Sequence, residues 1–464
     1  MKLPVSARRA TFSEQGSLLI IVLWMALGLV TITLYFASSM SFELRASENR
    51  VSGMAADQAI EAGCRYVTSV LTLLATNGAV PDVSSYQSEA VPVGDSHFWL
   101  IGRPVDYQVQ PDEVFFGLVD EGSRLNLNIA TADMFNLLTN MTPELAANII
   151  DWRNTNGNIS ANGDGPQVYS QIQPSYQCKN APYETIDELR LVYPTDLGTL
   201  VGEDYNRNGV LDLSESDTNR NGVVDPGLLE FVTVYSREPN TLSDGSRRID
   251  ISNLNNSSSE LTALLQTNLA AGRATQVMRN LGVGATGPAR PGQPPTTTVA
   301  TTFASPLGFY LRSGMTSDEF ASIAQHLTVT NGTYITGRVN INTATAAVLC
   351  CLPGLSAELA QQILNYRQQN PDKLTSIAWL VDALGANNAA LRTLAAGDYI
   401  TTQSYQFTAD IAALGPHGRG YRRVKFVFDT TSGTPQIIYR QDLSHLGWAL
   451  GKNVRQNFLI ARSQ

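Results

Sequence analysis

Residues 204–215 have the composition of a twelve-residue calcium-binding loop. Gly209 stands at position six, where such a loop turns sharply, and the Val210 carbonyl would supply position seven. The remaining ligand positions carry oxygen-bearing side chains, namely Asp204, Asn206, Asn208, Asp212 and Glu215. This spacing predicts a structural Ca²⁺ site.

A second, incomplete copy of the loop begins thirteen residues later. Its position twelve is Leu228, so the bidentate carboxylate must come from elsewhere, and Glu230 or a residue of the first loop are the candidates. Its predicted ligands are Asp217, Asn219, Asn221, Val223 and Asp225. The alternative for either loop is an Asn/Gly-rich surface turn. Only Ser216 separates the loops, which leaves no room for intervening helices and favours one or two bracing ions over a sensor.

Other chemistry finds little support in the sequence. His97, His326, His417 and His445 are scattered, and neither a Gly-x-Ser-x-Gly elbow nor an HExxH motif is present, so we expect no enzyme. The four cysteines are too few for a disulfide scaffold and read as small core residues.

Residues 348–356 resemble the helix-hairpin-helix of periplasmic DNA receptors. That motif uses two glycines to expose backbone N–H groups to a phosphate, whereas here Gly354 is followed by Ser356. The earlier copy at 139–142 has neither glycine, and the net charge is −9. Both observations favour protein packing over nucleic acid.

The element that positions the whole chain is an apolar segment from Ser17 to Ala37 that contains no charged residue. About twenty apolar residues match a hydrocarbon core of about 30 Å, so the segment predicts a transmembrane helix. Lys2, Arg8 and Arg9 precede it, which indicates a cytoplasmic N-terminus and a periplasmic remainder. We therefore expect a single-pass protein of a bacterial inner membrane.

Gly16 abuts this segment, which favours a class III leader cleaved between Gly16 and Ser17 on the cytoplasmic side. A secretory signal ending near 37–39 and an uncleaved anchor are the alternatives. The run RRATFSEQG at 8–16, followed by SLLIIVLWMALGLV, resembles type IV pilins and type II secretion pseudopilins. By that resemblance Ser17 is the mature N-terminus, and Ile21 stands where most of the superfamily carry a glutamate.

The predicted fold class is α+β, with a long pilin helix packed on an antiparallel sheet and large all-α insertions of the sterile-alpha-motif or helix-hairpin-helix type. Apolar periodicity over Met54–Leu74 extends the membrane helix. Strands are predicted at 97–102, 114–119, 399–410, 421–429 and 435–439, and related segments beginning at Arg124, Arg248 and Arg338 introduce helical runs.

The predicted boundaries follow from these patterns. They are a leader at 1–16, a transmembrane helix at 17–37, the pilin helix and first strands at 38–120, a helical lobe with the calcium loops at 121–232, a segment at 233–335 with a Pro/Gly-rich linker at 282–302, a helical lobe at 336–395 and closing strands at 396–464.

Several motifs in order resemble general secretion pathway protein K, a family of minor pseudopilins. They lie at 119–128, 150–153, 179–183, 234–240 and 337–344, together with the leader and Ile21. The resemblance implies a tip subunit of the type II pseudopilus that primes filament assembly for the export of folded proteins. Its implied partners are the I- and J-type minor pseudopilins, other pseudopilins, the inner-membrane platform and prepilin peptidase. The alternatives are a minor pilin of a type IV pilus and a membrane-anchored DNA receptor.

Overall fold

A computed structural model of the chain describes residues 15–105, 113–283 and 302–456. Its longest element is helix α1, Gln15–Leu74, whose apolar N-terminal part projects from the rest of the molecule. Among the described residues, it is the one helix that is long and apolar enough to cross a membrane. The predicted leader lies almost wholly outside the described residues, and so does the side chain of Ser17 at the predicted cleavage site.

An antiparallel sheet receives the C-terminal part of α1. Its strands are β1 Val91–Val93, β2 Ser96–Ile101, β3 Val119–Asp120, β12 Gln406–Gly415, β13 Arg419–Asp429 and β14 Gln436–Asp442. Their order in the sheet is β1-β2-β12-β13-β14, and β3 pairs with the start of β12. The neighbouring strands β2 and β12 come from opposite ends of the chain, so the intervening residues form an insertion.

The apolar face of α1 explains why the helix lies on this sheet. Ala56, Ile60 and Val67 recur at helical spacing and are buried against Phe98 and Ile411 of the central strands. Gly63 allows close approach, because a side-chain carbon there would lie 3.1 Å from Ile411 and 3.2 Å from Phe98. The predicted helix-on-sheet class is confirmed.

Three helical lobes fill the insertion. Each begins with a short strand, continues through helices and ends with a second short strand that pairs in parallel with the first. The pairs are β4 Leu125–Asn126 with β5 Val232–Thr233, β7 Ile249–Asp250 with β8 Leu327–Thr328, and β10 Val339–Asn340 with β11 Ile400–Thr401. We call residues 124–233, 248–328 and 338–401 the first, second and third lobe.

The helices of the lobes share one apolar core. The first lobe contains α2 Ala132–Phe135, α3 Pro143–Arg153, α4 Val168–Gln171 and α5 Leu197–Val201; the second contains α6 Leu254–Asn268, α7 Arg273–Leu281, α8 Pro306–Ser313 and α9 Ser317–Ala321; the third contains α10 Ala346–Cys350, α11 Ala357–Gln369, α12 Trp379–Leu384 and α13 Ala389–Leu394. Strands β6 Arg237–Pro239 and β9 Tyr334–Thr336 pair antiparallel between lobes. The three lobes together are called the head.

The head lies at the end of α1 farthest from the apolar segment. The chain that leaves the third lobe contacts residues just beyond that end. Ser404 N donates a hydrogen bond to Gly78 O at 2.9 Å, and Gln403 Nε2 donates to Asn77 O at 3.3 Å. The calcium-loop region contacts the face of the sheet opposite α1, through Arg423 of β13. The first lobe of the head therefore contacts the back of the sheet, and the chain that leaves the third lobe contacts the residues that follow α1.

Several predicted strands differ from the observed elements. The predicted strand at 114–119 is reduced to β3 and one isolated bridge between Phe116 and Ile101. Gly102 and Gly117 meet there so closely that a side-chain carbon on Gly102 would lie 2.8 Å from the Gly117 backbone. The predicted strand at 399–410 divides, because Ile400–Thr401 closes the third lobe and the sheet strand starts at Gln406.

The predicted domain boundaries, including those of the leader and of the Pro/Gly-rich linker, stay predictions from the sequence. Within the first lobe, residues Ile186–Leu191 form a 3₁₀ helix, which is opened by a capping box between Thr185 and Glu188. The predicted linker at 282–302 lies largely outside the described residues.

Candidate calcium loops and the helical lobes

The first predicted calcium loop turns around the carboxylate of Asp204. Its two oxygens accept hydrogen bonds from Asn208 N and Gly209 N, both at 2.9 Å. Gly209 has a φ of +83°, which its lack of a side chain permits. Asn208 Oδ1 in turn accepts from Val210 N at 2.9 Å. The loop therefore turns around the Asp204 carboxylate, with its sharp bend at Gly209 as the spacing predicts.

The second loop has the same conformation. Asp217 accepts from Asn221 N at 3.2 Å and from Gly222 N at 2.9 Å, and Gly222 has a φ of +75°. The Asn221 side chain accepts from Val223 N at 2.7 Å. Each hydrogen bond repeats one in the first loop, so the incomplete copy folds as the complete copy does.

Position twelve distinguishes the two loops. In the first loop the Glu215 carboxylate accepts from Asn206 N at 3.1 Å and from Asp212 N at 3.0 Å. This places Glu215 beside positions three and nine, as a twelfth ligand requires.

In the second loop the equivalent carboxylate belongs to Glu203. Its Oε1 accepts from Thr218 N at 2.5 Å, and its Oε2 accepts from Asp225 N at 3.2 Å. The Gly202–Pro226 bridge brings Glu203 next to Asp225. Thr218 and Asp225 are positions two and nine of that loop, so Glu203 lies beside the second loop and is the candidate for the twelfth ligand that Leu228 cannot supply.

Glu230, the alternative named from the sequence, lies elsewhere. Its carboxylate pairs with Arg103 Nε at 2.8 Å and lies 3.7 Å from Arg124 Nη2. Glu203 precedes the first loop by one residue, and no loop rule points to it. Glu203 comes next to the second loop only because the Gly202–Pro226 bridge forms, and the sequence gives no sign of that bridge.

The donor set suits a hard cation such as Ca²⁺, which prefers six to eight oxygen ligands. In the first loop the amide groups of Asn206 and Asn208 direct their Nδ2 atoms at one oxygen of Asp212, at 2.6 and 2.8 Å. Asn206 Oδ1 is buried and has no hydrogen-bond partner. A buried amide oxygen without a donor fits a cation, which would satisfy it.

Carboxylate groupings alone do not define the site. Among residues 15–105, 113–283 and 302–456, no three His, Cys, Asp or Glu side chains converge closely enough to hold a metal. The loops combine carboxylates with amide and main-chain oxygens instead.

Burial raises the pKa of the Asp204 carboxyl, although nearby Arg103 acts in the opposite direction, and burial also raises the pKa of Glu215. Both carboxylates thus gain from a positive partner when ionised.

The first loop is fixed to the sheet by the guanidinium of Arg423, which is fully buried. Arg423 donates to the carbonyls of Asn206 and Arg207, the latter at 2.8 Å, and pairs with both oxygens of Asp410 at 2.9 and 2.6 Å. Asn206 Nδ2 also donates to Trp448 O at 3.1 Å. The second loop faces solvent, since Val223 is 47% exposed while Val210 is 4% exposed.

The first and third lobes contain matching helix-hairpin-helix units. In the third lobe Gly354 has a φ of +84° and Ser356 caps α11; in the first, Asn140 has a φ of +61° and Thr142 caps α3. A side-chain carbon at Gly354 would lie 2.9 Å from Thr393 of α13, so the glycine lets the hairpin pack closely against that helix.

The remaining predicted residues have simple environments. Ile21 is exposed on the projecting part of α1. Cys64, Cys178 and Cys351 are buried, Cys350 is half-buried, and all four are free thiols. Burial raises the pKa of Cys351 to about 12, which makes it a poor nucleophile.

The fold is that of a pilin-like protein, with a long apolar helix packed on an antiparallel sheet that carries helical insertions. Residues 123–198 match the family model of "Type II secretion system (T2SS), protein K". Over these residues the first lobe is similar to protein K of type II secretion, in agreement with the resemblance seen in the motifs.

Other comparisons add detail. Residues 336–396, in the third lobe, match the model of the helix-hairpin-helix motif. No curated protein matches the chain. A chain in the crystal structure of the GspK-GspI-GspJ complex of enterotoxigenic Escherichia coli is similar, with 10% identity, a TM-score of 0.42, and coverage of 86% of this chain and 99% of that chain.

Proposed function

We propose that this protein is the tip subunit of the type II secretion pseudopilus, where it caps the filament and primes its assembly for the export of folded proteins. The protein K match in the first lobe and the pilin-like helix on its sheet support the family part of this proposal. The position in the filament rests on the head.

The observation that carries the tip proposal is the head over the far end of α1. In a filament that grows along one axis, the end of each subunit that faces the next subunit must leave room for it. Here Gln403 and Ser404 bond to Asn77 and Gly78 just beyond α1, and residues of the third lobe face the same segment across a cavity. Such a subunit starts or ends a filament, and a second copy above it would clash.

In this proposal the membrane part follows the pilin pathway. Prepilin peptidase cuts between Gly16 and Ser17 at the cytoplasmic face, the new N-terminus is methylated, and the helix stays in the inner membrane with the head in the periplasm. Ile21 offers no carboxylate to the N-terminus of a neighbouring subunit, and a lone carboxylate in lipid would be costly. A subunit that docks beneath no other subunit does not need one.

We also propose that one or two Ca²⁺ ions brace the head. The predicted ligands are Asp204, Asn206, Asn208, Val210, Asp212 and Glu215 in the first loop, and Asp217, Asn219, Asn221, Val223 and Asp225 with Glu203 in the second. An ion in the first loop would fix the backbone that Arg423 holds. The role is structural, and we propose no catalytic activity.

The proposed partners are the I- and J-type minor pseudopilins, the other pseudopilins and the inner-membrane platform. The test is co-expression of the full chain with the I- and J-type subunits of the same secretion system, followed by purification in detergent with calcium. We expect a complex with one copy of each. Capture of type IV pilus subunits instead, or salt-dependent binding of duplex DNA, would favour an alternative function.

A further inference from the structure

The three lobes share an arginine immediately before their first strand. Arg124 precedes β4, Arg248 precedes β7 and Arg338 precedes β10. In each lobe the second residue of that strand also forms the same turn. Its side-chain oxygen accepts a hydrogen bond from the backbone N–H two residues further along, at 2.9 Å for Asn126, 2.8 Å for Asp250 and 2.9 Å for Asn340. The arginines therefore occupy equivalent places.

In the first and third lobes a carboxylate partners this arginine from a fixed position, two residues before the closing strand. Glu230 precedes β5 and lies 3.7 Å from Arg124, and Asp398 precedes β11 and lies 2.5 Å from Arg338. Each arginine has a second carboxylate as well, Glu121 at 3.1 Å and Glu238 at 3.5 Å respectively.

The second lobe lacks this carboxylate. The residue two positions before β8 is Gln325, which cannot neutralise Arg248. Among the described residues, the buried Nε of Arg248 has no hydrogen-bond partner; the Nε of Arg338 is unpartnered too, but the other two guanidinium nitrogens of Arg338 each reach a carboxylate. The equivalent ion pair is therefore absent from the one lobe in which glutamine replaces the acid.

A cavity of about 200 Å³ lies at this position. Arg248, Arg338, Gln325, Ser376 and Thr401 line it, and Glu238 is the one carboxylate among its described lining residues. Gln325 is exposed, so the cavity opens to solvent. Glu238 attracts Arg248 electrostatically, yet burial still lowers the pKa of Arg248, so its charge is incompletely compensated.

We propose that this cavity binds a small free carboxylate, which takes at Arg248 the place that Glu230 and Asp398 take in the other two lobes. A guanidinium presents donors in a planar fork that matches the two oxygens of a carboxylate. The volume admits acetate and short dicarboxylates such as succinate. The site is independent of the calcium loops and of the tip function.

The test uses the full chain in detergent at pH 7. Its melting temperature is measured during separate titrations with sodium acetate and sodium succinate, and sodium chloride of equal ionic strength is the control. We expect a saturable rise, of roughly 2 °C, with the carboxylates only. Arg248→Gln should abolish the rise. Arg279→Gln removes an exposed arginine of α7 in the same lobe and should keep it.

Gln325→Glu tests the proposal from the opposite direction, because it supplies the missing carboxylate within the chain. This variant should melt at a higher temperature than the wild type in chloride and should not respond to acetate. Equal responses to acetate and chloride in the wild type would overturn the proposal. A full acetate response in Gln325→Glu would overturn it even if Arg248→Gln failed to fold.

Discussion

The sheet with its helix and the three-lobed head are held together by different forces. Within the first region, α1 and the strands meet through apolar side chains such as Ile60, Phe98 and Ile411. The head is joined to this region by buried polar groups, of which Arg423 and Asp120 are the clearest. Apolar packing tolerates small shifts, whereas hydrogen-bonded ions require defined positions.

Asp120 shows how the polar connection is built. It lies in β3, and its carboxylate accepts from Ser404 Oγ at 2.8 Å, Asn340 Nδ2 at 3.0 Å and Thr343 Oγ1 at 2.5 Å. One side chain thus joins the sheet to the third lobe and to the segment that returns from it. The position of the head on the sheet therefore depends on buried polar side chains such as Arg423 and Asp120, whereas apolar packing holds α1 on the sheet.

The largest expected effect comes from breaking the Arg423 connection. Arg423→Met leaves Asp410 buried without its cation and removes the donors to the first calcium loop, so the variant should lose about 3–5 kcal/mol of unfolding free energy. Arg422→Met is the matched control, because that neighbour makes an exposed pair with Asp57 and should change stability by less than about 1 kcal/mol. Equal losses in urea unfolding would refute the polar connection.

Removing the first calcium site should come next. Asp204→Ala with Glu215→Ala deletes two carboxylate ligands of the first loop, so added Ca²⁺ should raise the melting temperature of the protein by less than in the wild type, because only the second loop still binds an ion. At a calcium concentration about 100 times the dissociation constant the lost stabilisation would be about 2.7 kcal/mol. Calorimetry with calcium and with chelator checks this, and an unchanged calcium response would count against the loop.

A smaller effect separates the two loops. Glu203→Gln should remove only the second ion, so native mass spectrometry should count one bound calcium where the wild type binds two. Glu184→Gln, at an exposed glutamate of the same lobe, should leave two. Two ions in Glu203→Gln would show that this carboxylate is not the twelfth ligand.

The smallest effect is a pH dependence. Because burial raises the folded pKa of Asp204, the calcium-free protein is stabilised when this carboxyl is protonated and loses that contribution as pH rises through the raised pKa. Calcium binds the ionised form, so the gain in melting temperature from calcium should grow between about pH 4 and pH 7. Asp204→Asn does not titrate and should flatten that dependence; the same slope in both proteins would contradict the assignment.

Much of this architecture follows from local sequence. The apolar run, the periodicity of Met54–Leu74, the twelve-residue spacing and the lobe-opening segments all depend on neighbouring residues. The partners that join the regions do not, since Arg423 and Asn206 are 217 residues apart. Glu203 was missed for a related reason, because it completes a loop to which it does not belong in sequence.

The second lobe was only partly predictable. The segment opening at Arg248 was recognisable as a relative of the others, but its closing strand is two residues long, Leu327–Thr328, and carries no periodic signal. The parallel pairing that defines a lobe appears only when the chain returns after its helices. Long-range pairing of this kind is not encoded in a short window of residues.

The measurement that tests the tip proposal most directly is the position of the protein in assembled pseudopili. Filaments are grown with the wild-type gene dosage, a gold label is attached to the head, and its location is recorded by electron microscopy. The account predicts one label at one end of each filament, because the head blocks addition above it. Labels spaced regularly along the shaft would contradict it.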